Sequence, residues 1–204
     1  MKPRKIIIVE GSPRKNGNST ILAQQVVAGA KSLGAEVETL YLQGMSIFPC
    51  TACDICQESR QKDCIIEDDM MEIYPQLRDA DAIVYASPIY WFNISAQIKL
   101  FIDRCYALTC LATKPGEDGG DPIYTVESDL AGKQIGIILT YGDKDPFASG
   151  AVNAIRSYQD MFRFVEAEIV DIVYGSAMAQ GEVTGNEDLM QQAFDLGKKL
   201  TSAK

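Results

Sequence analysis

The chain has 204 residues, 47% of them apolar and 23% charged, with a formal net charge of -9 and no histidine. The length suits one domain with its own core, and the acidic balance disfavours nucleic acid or an anionic membrane, since both need a basic face. Without histidine, a His-based triad, a His general base and a His-ligated zinc enzyme are excluded.

The chain opens "MKPRKIIIVEGSPRK". Its apolar run is short and no small-residue cleavage site follows, so it reads as a first strand and not as a signal peptide. No apolar run approaches the roughly 20 residues needed to cross a bilayer. The expected setting is the reducing cytoplasm, where cysteines bind metals or do redox work more often than they pair.

In chain order, residues 5–11 ("KIIIVEG") form a short β-branched run of the kind buried on both sides. Residues 18–33 have helical period, with Ile21, Leu22, Val26, Val27 and Leu33 on one side and Gly34 just past the end. "EVETLYL" is a second strand. A cysteine-rich loop, residues 48–67, follows. Residues 68–80 look helical, with Asp68 or Asp69 as a cap and Pro75 kinking or restarting the helix. "AIVYASP" is a third buried strand and residues 95–108 a third helix. Residues 109–130, around "KPGEDGGDP", read as a long irregular loop. "KQIGIILTYG" is the fourth strand, residues 150–164 a helix, "AEIVDIVYG" the fifth strand and residues 187–201 the closing helix.

Alternating strands and helices imply a parallel sheet covered on both faces. The expected fold is α/β, a flavodoxin-like three-layer sandwich with a five-stranded parallel sheet in the order 2-1-3-4-5. The whole chain, residues 1–204, is read as a single domain. Ligands of such sheets sit beyond the carboxyl ends of the strands.

Three loops leave that edge. The first, "GSPRKNGNST", opens a helix and offers Ser12, Arg14, Asn18, Ser19 and Thr20 to an anion. It matches neither dinucleotide nor triphosphate fingerprints, so a monophosphate fits best; the plain alternative is a well-capped turn. The second, "SPIYWFNISAQ", carries Tyr90, Trp91 and Phe92 in a row, Trp91 being the sole tryptophan. It suits a planar ring system or a subunit contact. The third, "TYGDKDPFASG", puts Thr140, Tyr141 and Gly142 where a second wall would stand, or is simply a polar turn.

"GSPRKNGNST", "SPIYWFNISAQIKLFIDR" and "CIIEDDM" together resemble the NADPH-dependent FMN reductase and multimeric flavodoxin superfamily, most of all its iron-sulfur flavoprotein branch. The resemblance runs over about residues 4–175. It implies FMN, with the phosphate on Ser12, Arg14, Asn18, Ser19 and Thr20. It also implies the isoalloxazine over Pro88, Ile89, Tyr90, Trp91 and Phe92, near Thr140, Tyr141 and Gly142. Homodimers or homotetramers with FMN near the subunit contact are implied as well.

Cys50, Cys53, Cys56 and Cys64 read C-x2-C-x2-C-x7-C. Three thiolates at spacing three with a fourth close behind can hold one [4Fe–4S] cluster. Bare thiols, and a zinc held by all four, are the alternatives. The loop leaves the carboxyl end of strand two, so the cysteines are expected on the flavin edge. Cys105 and Cys110 read as buried or idle thiols. The expected activity is NAD(P)H-dependent reduction through FMN, NADPH or NADH giving a hydride and no side chain assigned as catalytic. The acceptor is a small molecule or a protein. A pure iron-sulfur flavoprotein electron carrier and a flavin-binding sensor are the rivals.

Overall fold

The computed structural model describes residues 2–58, 63–114, 121 and 123–202. Five parallel strands form the central sheet: β1 (Lys5–Glu10), β2 (Glu36–Tyr41), β3 (Ala82–Tyr90), β7 (Gln134–Tyr141) and β8 (Glu168–Ser176), in the order β2-β1-β3-β7-β8. Counting parallel strands alone, this is the expected 2-1-3-4-5. β1, β3 and β7 are interior strands and correspondingly apolar on both faces, whereas β2, at an edge, is mostly exposed.

Five helices cover the sheet: α1 (Asn18–Ser32), α2 (Met70–Asp79), α3 (Ala96–Arg104), α4 (Ala151–Phe164) and α5 (Glu187–Thr201). Strand alternation divides the core between the two faces. Ile6 and Ile8 pack with Leu22, Val26, Leu189 and Leu196 of α1 and α5. Ile7 and Val9 pack with Ile73, Phe101, Tyr158 and Phe162 of α2, α3 and α4. No helix among the described residues is long and apolar enough to cross a membrane.

Three expectations need correction. The sheet gains a sixth, antiparallel strand, β4 (Asn93–Ile94), paired with the end of β3. The stretch expected to be irregular contains an antiparallel hairpin, β5 (Thr109–Lys114) and β6 (Ile123–Ser128). "TCLATK" and "IYTVES" are rich in β-formers; residues 115–120 and 122 of that stretch lie outside the described residues. Finally, α2 continues through Pro75 and does not restart there, with Met70, Ile73, Tyr74 and Leu77 buried on either side of it. Packing outweighs one lost helical hydrogen bond.

Candidate functional site

The three loops beyond the carboxyl ends of β1, β3 and β7 are joined by specific bonds. Ser95, which caps α3, donates from Oγ to Gly11 O (2.8 Å), and its N–H donates to Ser87 Oγ (3.0 Å). The sheet register sets Pro88 opposite Thr140. Asn153 Nδ2, in the first turn of α4, donates to Phe92 O (3.1 Å). Any ligand touching one loop therefore meets a framework shared by all three.

The first loop ends in a cradle. α1 begins at Gly17 with no side-chain cap, so its first N–H groups stay open to an anion. A Cβ at Gly17 would stand 2.6 Å from Ser12 Oγ, so a larger residue would push the loop open. Ser12 Oγ and Arg14 close a tight turn, with the Arg14 N–H donating to Oγ (3.1 Å). Thr20 Oγ1 donates to Arg14 O (3.4 Å). Arg14 itself is exposed. Ser19 is 1% exposed and its hydroxyl has no partner, although buried polar groups are normally satisfied. Asn18 is committed elsewhere: Nδ2 donates to Ala177 O and Ala179 O (3.2 and 2.9 Å), and Oδ1 accepts from the Val183 N–H (3.3 Å). It anchors the start of α1 to the segment after β8.

The second loop is a hairpin turn. Tyr90 pairs with Asn93, leaving Trp91 and Phe92 at the tip with φ of 47° and 65°. Such two-residue turns ordinarily select Asn-Gly, and the left-handed region costs an L-residue about 1–2 kcal/mol. Two bulky aromatics are held there all the same. Gly150 permits it: a Cβ at that position would lie 2.5 Å from the Phe92 backbone. Trp91 is 93% exposed. Pro88 is buried, Ile89 half-buried, and Tyr90 and Phe92 exposed. In the third loop Thr140 and Tyr141 are the buried last residues of β7, while Gly142 is exposed beside Met178.

Cys50, Cys53, Cys56 and Cys64 line one cavity of about 420 Å³, together with Ile102, Cys105 and Tyr106 at the end of α3 and Met161 and Phe164 at the end of α4. Helices α3 and α4 start at the carboxyl edge of the sheet, so their ends lie at the amino edge. The expectation that these cysteines share the flavin edge is thereby overturned. The loop does leave β2 at the carboxyl edge, with Gln97 at the start of α3 donating to Gln43 (2.7 Å). It then descends beside α3, and Phe48 O accepts from Arg104 at the far end (2.8 Å). With a rise of about 1.5 Å per residue, α3 separates the two sites by roughly 13 Å.

Inside the cavity, Cys50 and Cys53 are exposed and Cys56 and Cys64 half-buried. Burial pushes the Cys56 thiol up, a hydrogen bond from Gln57 opposes this, and the charges of Cys64, Cys50 and Cys53 raise it further. The Ala52 N–H points at Cys50 Sγ (3.4 Å). Among the described residues no group of three or more Cys, Asp or Glu side chains is placed to hold a metal ion. Burial also raises the Cys105 thiol, to about 12, which keeps it protonated.

The cysteine loop hangs from one buried ion pair. Arg104 and Asp68 have fully buried side chains. Arg104 Nη1 donates to Asp68 Oδ2 and Phe48 O, and Nη2 to Asp68 Oδ1 (3.1 Å) and Ile66 O (3.4 Å). One guanidinium thus ties the strand of loop before Cys50 to the strand after Cys64. Burial alone would raise the Asp68 carboxyl; hydrogen bonds from Arg104 and from the Phe48 and Met70 N–H groups hold it below its usual range. Gln57 adds a second tie, with Nε2 donating to Thr109 O (3.0 Å) and Oε1 accepting from the Leu111 N–H (3.2 Å).

Gln57, Ser95 and Arg104 had no place in the sequence-based site. For Arg104 the signal was an arginine at a helix end within a motif already singled out.

Comparison with known proteins identifies the family and supports the fold. The family model described as NADPH-dependent FMN reductase matches residues 4–170. An iron-sulfur flavoprotein of Archaeoglobus fulgidus is 32% identical over 202 residues, covering 98% of this chain and 80% of the relative. One from Methanocaldococcus jannaschii is 31% identical over 155 residues, covering 71% and 79%. Among solved structures, an NAD(P)H:quinone oxidoreductase from Methanothermobacter marburgensis superposes with a TM-score of 0.72 over 99% of each chain, at 17% identity, and so speaks for the fold. The chain is an oxidoreductase of the NADPH-dependent FMN reductase family, within its iron-sulfur flavoprotein branch.

Proposed function

We propose that this chain takes a hydride from NADPH or NADH onto FMN bound at the carboxyl edge and delivers electrons to a small-molecule or protein acceptor. The observation that carries the reading is the open anion cradle at the start of α1, with the Ser19 hydroxyl buried and unpartnered inside it. Bound FMN supplies the hydride chemistry, and the protein supplies binding and orientation. The α1 N–H groups, Ser12, Ser19, Thr20 and the exposed guanidinium of Arg14 hold the phosphate. Asn18 contributes by fixing the α1 terminus in place. The Trp91–Phe92 turn lies against the ring, and the exposed Phe147 and Met178 (each 75% exposed) extend an apolar rim suited to a second copy of the chain.

Ser19→Ala separates this reading from a plain capped turn. Loss of an unpartnered buried hydroxyl should leave the flavin-free protein as stable as the parent, or more so. The same change should weaken FMN by about 1.5–3 kcal/mol if a charge-assisted bond is lost. Equal FMN affinity in the two proteins would place the phosphate elsewhere. For the ring, saturating FMN should quench the fluorescence of Trp91, the single tryptophan; unchanged emission would remove the aromatic turn from the site.

The cysteine set has the donor type, number and spacing of a [4Fe–4S] site, which would supply one-electron chemistry, although the described side chains do not gather three of these thiols around one metal position. Four thiols surround a cavity larger than a single ion needs, and N–H groups are aimed at two of the sulfurs. The exposure of Cys50 and Cys53 at the edge opposite the flavin favours a second reading, a carrier that exchanges single electrons with a partner protein. Steady-state NADPH oxidation with quinone or ferric acceptors distinguishes the two. Turnover supports the reductase, and its absence from FMN-loaded protein supports the carrier.

A further inference from the structure

We propose that Glu10 belongs to the FMN phosphate site and must be protonated for the phosphate to seat, so that FMN binding above neutral pH takes up a proton. The inference rests on the phosphate reading above and adds a residue to it. Glu10 ends β1 and directly precedes Gly11, the first residue of the phosphate loop. By strand alternation its side chain shares the face of Ile6 and Ile8, the face covered by α1. It is only 8% exposed. An ionised carboxylate held there, two residues from Ser12, repels a phosphate bound at the head of α1.

Among the described residues no compensating cation stands beside it. On β3 its neighbour is Ala86, and on β2 it is Tyr41, whose hydroxyl donates to Pro13 O (2.9 Å). The buried side of α1 presents Ser19, Thr20, Leu22 and Ala23, none of them ionisable at neutral pH. On α5, which covers the same face, the buried residues are Leu189, Ala193, Leu196, Gly197 and Leu200. Arg14 and Lys15 are exposed on the loop. The Glu182 carboxylate, beyond the Asn18 anchor, accepts from the Met178 and Ala179 N–H groups (2.8 and 2.7 Å). Burial alone acts on Glu10 and lifts its carboxyl to about 7. The group is thus half-ionised near neutrality in the empty site, and a phosphate dianion raises it further.

The test is FMN affinity between pH 7 and 9, above the second ionisation of a phosphate monoester near 6, with riboflavin as the phosphate-free control. For the parent, linkage to one proton makes the FMN Kd rise by about tenfold per pH unit above neutrality. Riboflavin affinity stays flat, and Glu10→Gln removes the slope and binds FMN more tightly than the parent at pH 8.5. Calorimetry of the parent in two buffers of different ionisation enthalpy should report uptake of about one proton at pH 8, a readout that needs no variant. A flat FMN profile with no proton uptake, while FMN still outbinds riboflavin, overturns the role of Glu10 and leaves the phosphate loop standing. The same slope in Glu10→Gln overturns it too. FMN binding no tighter than riboflavin at any pH overturns the phosphate reading itself.

Discussion

Arg104→Leu is expected to destabilise the protein by about 3–5 kcal/mol, because it leaves the Asp68 carboxylate buried without its counter-charge. The same change removes the Arg104 hydrogen bonds to the part-buried Phe48 O and Ile66 O, which adds to the loss. Set against a total stability of about 5–15 kcal/mol for a typical domain, this is enough to unfold much of the population under mild denaturant. The effect should appear as a lower midpoint in urea unfolding. Asp68→Leu in the same background should recover part of the loss, since an apolar pair no longer buries a lone charge. The damage should centre on residues 48–68, with faster proteolytic cleavage there, while the phosphate cradle at the far end of α3 keeps its FMN affinity. An Arg104→Leu variant within 1 kcal/mol of the parent would show that the loop is held by other contacts.

That pair illustrates where sequence reading stopped. The parallel sheet and its order were legible because each interior strand is a short apolar run and each helix has an apolar side, as with Leu189, Ala193, Leu196 and Leu200 on α5. The glycine and hydroxyl residues between β1 and α1 marked a candidate anion site in the sequence, though the same residue types equally suit a plain capped turn. The role of Asn18 was not legible. An asparagine at a helix start is chemically fit to hold a phosphate or to clamp a neighbouring segment, and only the approach of residues 177–183 commits it to the second. The pairing of β5 with β6 was obscured in the sequence by the Gly and Asp residues between them, which dominate the local composition.

The path of the cysteine loop was the largest misreading. Sequence fixes where a long loop leaves a sheet, here the carboxyl end of β2. It does not fix where the loop goes, because that depends on distant partners. Gln43 meets Gln97, Phe48 meets Arg104, and Gln57 meets Thr109 and Leu111. Each partner lies further down α3 or just past its end. The descent is encoded in pairs separated by about fifty residues, which spacing within the motif does not reveal.

Protein made and kept without oxygen is expected to hold about four irons and about as many acid-labile sulfides per chain, the content of one [4Fe–4S] cluster. Three features support this expectation. The thiols of Cys50, Cys53, Cys56 and Cys64 line one cavity, and its other walls include Ile102, Met161 and Phe164, which limit water. Gln57 and the Ala52 N–H point at two of the sulfurs, as suits anionic thiolates. The Arg104–Asp68 pair holds both ends of the loop together without using any of the four sulfurs. Cys56→Ala should reduce bound iron to near zero. Cys110→Ala should leave it unchanged, because Cys110 is not among the residues lining the cavity. Exposure of Cys50 and Cys53 predicts loss of iron in air, so the measurement has to be made on anaerobic or reconstituted protein. A parent without iron under those conditions, or a Cys56→Ala variant with a full complement, would make these bare thiols. FMN affinity measured on the same samples should be unaffected by Cys56→Ala, since the length of α3 lies between the two sites.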